Sequence, residues 1–274
     1  MVRKLIKYDF RSYFRLLFPV QLIILGFALI NRIIQIFEPP LHSTGAASTI
    51  YNAMFVSTLV LYIISIIVCV VMTVIVGIIR FYQGMYTSEG YLSHTLPVKP
   101  TQHIAAKLLT SVIFCLGGFL AMFLSFMIIT AGDVNIEIFK AFFYLFGKFF
   151  NELGVNASLY IVEGVLFLCL YVLFVFLKLY CCISVGQLVK RKKILLAFGV
   201  FFGIYVVKQL FGTIMVIVVA LNLTFLDRVG DWINSHPIPF MHIVLCFGII
   251  MYALFALVYF LITKLIMSKK LNLT

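Results

Sequence analysis

Charged side chains inside apolar runs come first, because hydrocarbon tolerates them only where they are paired or have a task. This sequence has Arg32, Glu163, Lys178 and Lys208 in such positions. A proton- or sodium-coupled carrier needs ionisable groups at membrane depth to hold the coupling ion. Glu163 is the one carboxylate there, and it lies five residues inside its run, near the headgroup level where water can solvate it. The other three are cations, which argues against an antiporter. Counted at 1.5 Å per residue, Lys178 and Lys208 fall near mid-membrane. They are candidates for a translocation path, with at least one facing an aqueous cavity or the anionic part of a cargo. Snorkelling, or pairing inside the bundle, is the alternative.

Catalytic signatures are missing. There is no G-x-S-x-G and no H-E-x-x-H. His42, His94, His103, His236 and His242 all lie in or beside loops and form no ligand cluster. No filter-like signature suggests a channel. No G-x-x-x-x-G-K-[ST] loop cradles a phosphate, so the chain is not expected to hydrolyse ATP itself, and no metal or cofactor is expected in it. Cys69, Cys115, Cys169, Cys181, Cys182 and Cys246 all sit in apolar runs without metal-ligand spacing and read as buried small hydrophobes.

The elements that hold these residues follow from composition. The chain has 274 residues, 64% hydrophobic and 11% charged. Soluble domains are about 25% charged, so the solvent for this surface is lipid. Apolar runs cover 16–37, 54–79, 108–131, 158–189, 194–225 and 240–263. Each is long enough to span. The fourth and fifth, about 48 Å each as helices, must tilt or protrude. The expected fold is all-α and polytopic, six transmembrane helices in a single domain, 1–274. The first run is too long for a signal peptide and no small-residue cleavage site follows it, so it is expected to be retained.

The net charge of +12 sits in clusters beside these runs, which is an orientation signal and not a nucleic-acid footprint. Arg3, Lys4, Lys7, Arg11 and Arg15 precede the first run. Arg80, Lys99 and Lys107 follow the second, Lys190 to Lys193 the fourth, and Lys264, Lys269 and Lys270 the sixth. The alternate loops hold only Lys140, Lys148 and Arg228. Both termini are therefore expected in the cytoplasm. Residues 1–15 place Val2, Leu5, Ile6, Phe10, Tyr13 and Phe14 on one helical face and the cations on the other, as in a helix lying on an anionic lipid surface. A topology signal without fixed structure is the alternative. The outer segment 132–157 has a second amphipathic stretch, with Phe139, Phe142, Phe143, Phe146, Phe149, Phe150 and Leu153 at helical spacing. The last outer loop has room for one more helix around Trp232.

Between the second and third runs lies "YTSEGYLSHTLPVKPTQ", 86–102. It is longer than a turn requires. Ser88-Glu89 can start a short helix, Gly90 can place a turn, and Pro97 and Pro100 stop the element before the third run. Tyr86, Tyr91 and Leu92 are anchors of the kind that dominate interfaces. On these grounds a docking element and a solvated hairpin loop remain equally open.

The segment 80–109, "RFYQGMYTSEGYLSHTLPVKPTQHIAAKLL", resembles the first cytoplasmic loop of bacterial ABC-2 type transporter permeases, the small six-span kind of Gram-positive bacteria. The shared pattern is an Arg-Phe-Tyr exit, an acidic-Gly-Tyr-Leu turn and Thr-Leu-Pro-Val. The N-terminal "RKLIKYDFRSYFR" and "ALINRI" also fit. The resemblance implies a multi-pass cell-membrane protein, the permease of an ATP-driven exporter. A second permease copy, identical or not, and a separate ATPase subunit that binds ATP and Mg would be its partners. Residues 1–15 would be an elbow helix. The loop 80–107 would be the coupling element, carried by Tyr86, Ser88, Glu89, Gly90, Tyr91, Leu92, Leu96 and Pro97. A complex extracting a peptide antibiotic for self-protection, and a non-transporting scaffold or sensor subunit, are the other readings. In the fifth run Gly199 and Gly203 form a small-xxx-small pair, a candidate permease–permease contact or an ordinary packing site.

Overall fold

The structure is a computed structural model, and it describes residues 2–37, 46–87, 99–130, 136–189 and 191–269. Among the described residues there are eight helices and no strand. They are α1 (Val2–Ile36), α2 (Ala46–Tyr86), α3 (Pro100–Thr130), α4 (Ile136–Leu153), α5 (Val155–Gly186), α6 (Lys193–Ala220), α7 (Leu223–Ser235) and α8 (Pro237–Lys269). Six of these, all but α4 and α7, are long and apolar enough to cross a membrane. The chain is an all-α, multi-pass membrane protein.

Helix ends depart from the expected runs for identifiable reasons. α1 is one unbroken helix of 35 residues, so no separate elbow precedes the first span. Nothing in 1–15 breaks a helix, and Pro19 is carried inside it. The expected loop 80–107 is helical at both ends, since Arg80 and Gln83 are polar but not breakers. α3 begins with Pro100 at its first position, where a missing N–H costs nothing. The Lys99 N–H donates to Gln102 Oε1 at 3.3 Å, half of a capping box. The fifth run is not a single helix to 225. α6 stops at Ala220, the Asn222 side chain donates back to the Val218 carbonyl at 3.0 Å, and α7 starts anew. α7 is the short helix expected around Trp232, and α4 is the amphipathic helix expected in 132–157. α4 ends at Gly154, whose φ of +53° is the left-handed conformation glycine adopts freely.

The chain divides into two compact units. The first comprises residues 1–80 and 105–154. Tyr13, Leu17, Val76 and Phe114 pack together with Met72. Ile24, Ala28, Tyr62 and Cys69 form a second cluster. Where lipid replaces water, burial gives no drive between helices, so close packing and hydrogen bonds must hold them. Tyr13 Oη and Ser111 Oγ are 2.8 Å apart, and Tyr62 Oη and Ser125 Oγ 2.9 Å. Thr58 Oγ1 donates to Asn31 Oδ1 at 3.1 Å, and Gln21 Nε2 to the Phe114 carbonyl at 3.3 Å. Lys107 Nζ pairs with Asp9 at 3.1 Å. These contacts link α1, α2 and α3. They also redirect the N-terminal apolar face: Tyr13 is fully buried and Phe10 lies 4.9 Å from the Phe114 ring, so part of that face packs on α3.

The second unit comprises residues 81–104 and 155–274. α5 packs against both α6 and α8. Rings dominate: Phe174 meets Tyr252, Phe255 and Tyr259. Two glycines allow close approach. A Cβ at Gly186 would sit 2.8 Å from the Lys193 carbonyl oxygen, so the α5–α6 hairpin closes only without one. A Cβ at Gly248 would sit 2.7 Å from Phe167.

Candidate functional site

Ser88, Glu89, Gly90, Tyr91, Leu92, Leu96 and Pro97 lie outside the described residues. Tyr86, the first residue of the expected coupling element, is described and is fixed in place. Its hydroxyl donates to Ser184 Oγ at 2.7 Å, and Ser184 Oγ donates in turn to the Tyr180 carbonyl at 2.8 Å. One and a half turns back, the Phe81 ring stacks on Tyr180 with centroids 3.9 Å apart and planes 8° from parallel. Phe81, Met85, Tyr180 and Ser184 are all fully buried. The last turns of α2 are thus clamped to the last turns of α5, just before the α5–α6 hairpin. A force applied to the chain beyond Tyr86 is delivered to α5 through rings and a hydrogen bond, not through a slack connection.

Lys178 and Lys208 belong to that same hairpin. Lys178 Nζ lies 4.7 Å from the Phe201 ring centroid and 5.9 Å from that of Phe174, both within cation–π range. Its opposite number across the hairpin is therefore α6 near Phe201. Lys208, seven residues further along α6, is exposed. Among the described residues neither lysine makes an ion pair; the pairs present are Lys107–Asp9 and His242–Glu163. Gly199 and Gly203 have nothing within 4 Å of a built Cβ, so the reading of them as an ordinary packing site within the chain finds no neighbour.

One arrangement was not foreseen. Glu163 is not left to solvation by headgroup water. His242 Nδ1 is 2.9 Å from both of its oxygens, and each side chain is only about a fifth exposed (22% and 20%). The Tyr160 ring stacks on His242 at 4.1 Å, and the Tyr160 hydroxyl donates to the Ile238 carbonyl at 2.7 Å. Cys246 Sγ lies 3.9 Å from Glu163 Oε1 and is exposed, unlike the buried Cys69, Cys181 and Cys182. This ties α5 to α8. The partners lie 79 positions apart and leave no spacing signal; the one hint is that each lies a short way inside the N-terminal end of its run. No group of three His, Cys, Asp or Glu among the described residues is arranged to hold a metal. Comparison with family models, with curated proteins and with solved structures gave no match.

Proposed function

We propose that the chain is the membrane-spanning permease subunit of an ATP-driven exporter of the bacterial cell membrane. It would build the translocation path with a second permease chain and take its power stroke from a separate ATPase. Two things support this reading. The segment 80–109 resembles the coupling loop of ABC-2 type permeases, and the last turns of α2 that lead into it are clamped to α5 by the Phe81–Tyr180 stack and the Tyr86–Ser184 hydrogen bond. The second observation carries the proposal. A coupling element works only if its root is stiff, and a solvated connector has no need of two buried rings beneath it.

In this reading Glu89, Tyr91 and Leu92 are the docking anchors, since few central side chains dominate an interface. Glu89 pairs with a basic group of the ATPase, and Glu89→Arg disturbs register or steering. Orientation follows the basic clusters, with both termini and the segments 88–98 and 187–192 on the cytoplasmic side. In a cysteine-free background, single cysteines at Lys99 and Lys192 should react only from the cytoplasm, and one at Lys148 only from outside. Labelling of Lys148 from the cytoplasm overturns this map. The function itself is tested by affinity capture from native membranes. An ATPase subunit carrying a phosphate-cradling loop should co-purify in fixed ratio with the permease. Its absence from every mild detergent tried counts against the exporter reading.

A further inference from the structure

An ammonium in hydrocarbon is costly, and this hairpin holds two. Lys178 lies about 12 Å from the hairpin end of α5, counted from Gly186, and Lys208 about 22 Å from that of α6, counted from Lys193. Lys178 is close enough to that end to lean toward it. Lys208 is too deep for its four-carbon stem to reach water. Ring faces steady the Lys178 charge, but among the described residues its N–H donors meet no acceptor.

Among the described residues no carboxylate pairs with either lysine. Of its nine Asp and Glu residues, only Glu163 lies in an apolar run. It is held by His242, about 22 Å along α5 from Lys178. An identical second copy brings the same residues at the same depths and so cannot neutralise the pair. At about 100° per residue, Lys208 lies within about 20° of Phe201 around α6, on the side toward α5. Gly199 and Gly203 lie about 140–180° away, so a second chain seated on the glycine face leaves the lysines uncovered.

We propose that the α5–α6 groove binds the phosphate headgroup of an anionic membrane amphiphile through Lys178 and Lys208, and that such an amphiphile is the class of cargo. A phosphate accepts charge-assisted hydrogen bonds from an ammonium group. Two cations at graded depth carry the headgroup from the hairpin side toward the middle of the membrane, while its acyl chains stay in lipid beside the exposed Phe198, Phe202 and Tyr205. The binding stands without the exporter; the assignment as cargo rests on that reading.

The test uses the full chain in phosphatidylcholine nanodiscs doped with a photoactivatable phosphatidylglycerol, with crosslinks mapped by mass spectrometry. Labelling should concentrate on α5 and α6 around Lys178 and Lys208. It should fall about tenfold in Lys178→Met/Lys208→Met and survive in Lys178→Arg/Lys208→Arg. Photoactivatable phosphatidylcholine should label the groove weakly and equally in all three proteins. Wild type alone already decides, should the methionine variant fail to fold: equal labelling by the two lipids overturns the proposal. So does unchanged labelling in a folded methionine variant. Full displacement by millimolar inorganic phosphate would mark a soluble-anion site and overturn it too. No ATPase is present in the nanodisc, so failure of the capture experiment leaves this result standing, and failure here leaves the exporter reading standing.

Discussion

Helices α5 and α6 are neighbours in one unit, similar in length (32 and 28 residues) and equally apolar to the eye, yet they are used differently. α5 buries Val172, Phe174, Phe176, Leu177, Tyr180 and Ser184, and it receives α2, α6 and α8. α6 buries nothing. In water such a helix would be an error. In lipid, association comes from packing and hydrogen bonds, and a helix without small-residue contacts or polar pairs can remain at the periphery. The contrast separates a helix that is packed into its unit from one that presents a surface. It also explains why a lysine on α6 carries more weight than any leucine there: the lipid face accepts leucine freely and lysine only at a cost.

The contrast can be broken by mutation, and the largest effect should come from the α2–α5 clamp. Tyr180→Ala removes a fully buried ring and its Phe81 partner's stack. Truncating a buried aromatic costs roughly 3–5 kcal/mol in soluble cores, and lipid removes part of the transfer component, so the lower end is expected. Phe202→Ala, on the two-thirds exposed face of α6 (66%), should change the thermal midpoint in detergent very little. Equal losses in the two variants would dissolve the distinction between the helices.

Next come the glycines. Gly186→Ala forces the Lys193 carbonyl away from a 2.8 Å clash, an overpacking effect of about 1–3 kcal/mol. Gly199→Ala and Gly203→Ala meet open space and gain helix propensity, so the isolated chain should hold or rise by up to about 1 kcal/mol. Thermal melts of the three variants side by side check this. A comparable size follows for His242→Ala, which leaves the Glu163 carboxylate without its partner. The expected loss is about 1–3 kcal/mol, with a smaller one in Glu163→Gln, where a hydrogen bond to His242 survives. The smallest effects belong to the first unit. Tyr13→Phe and Tyr62→Phe each delete one interhelical hydrogen bond, worth on average about 0.6 kcal/mol within membranes.

Much of this architecture was legible because lipid imposes a simple rule, that every span must be a long apolar helix. The six runs, the amphipathic helix α4 and the short helix near Trp232 could be read from hydropathy and phenylalanine spacing. The break at Asn222 could not, because an asparagine ends a helix only when its side chain turns back on a carbonyl, as it does here on Val218. Composition also could not divide α5 from α6, since a helix apolar on all sides carries no mark of which side is packed. Lys178 and Lys208 stood out as charges in hydrocarbon, but their place on one side of the α5–α6 hairpin required knowing that Phe201 faces Lys178. Glu163–His242 and Asp9–Lys107 join residues 79 and 98 positions apart, and no local spacing announces such a pair. Nothing in the sequence set Gly186, which closes the hairpin, apart from Gly199 and Gly203, which meet open space.

The central claim is that α2 delivers a docking element to an ATPase and returns its motion to α5. The most direct test is Leu92→Asp in the intact complex, scored for membrane level, ATPase capture and the dependence of transport on hydrolysis. The substitution leaves every spanning helix untouched and places an unpaired charge at the proposed contact, where desolvation is costly. The expected result is a normal amount of permease in the membrane, with either the ATPase lost from the captured complex or hydrolysis retained and no longer driving transport. An intact complex with full transport would contradict the claim and reduce 88–98 to a connector.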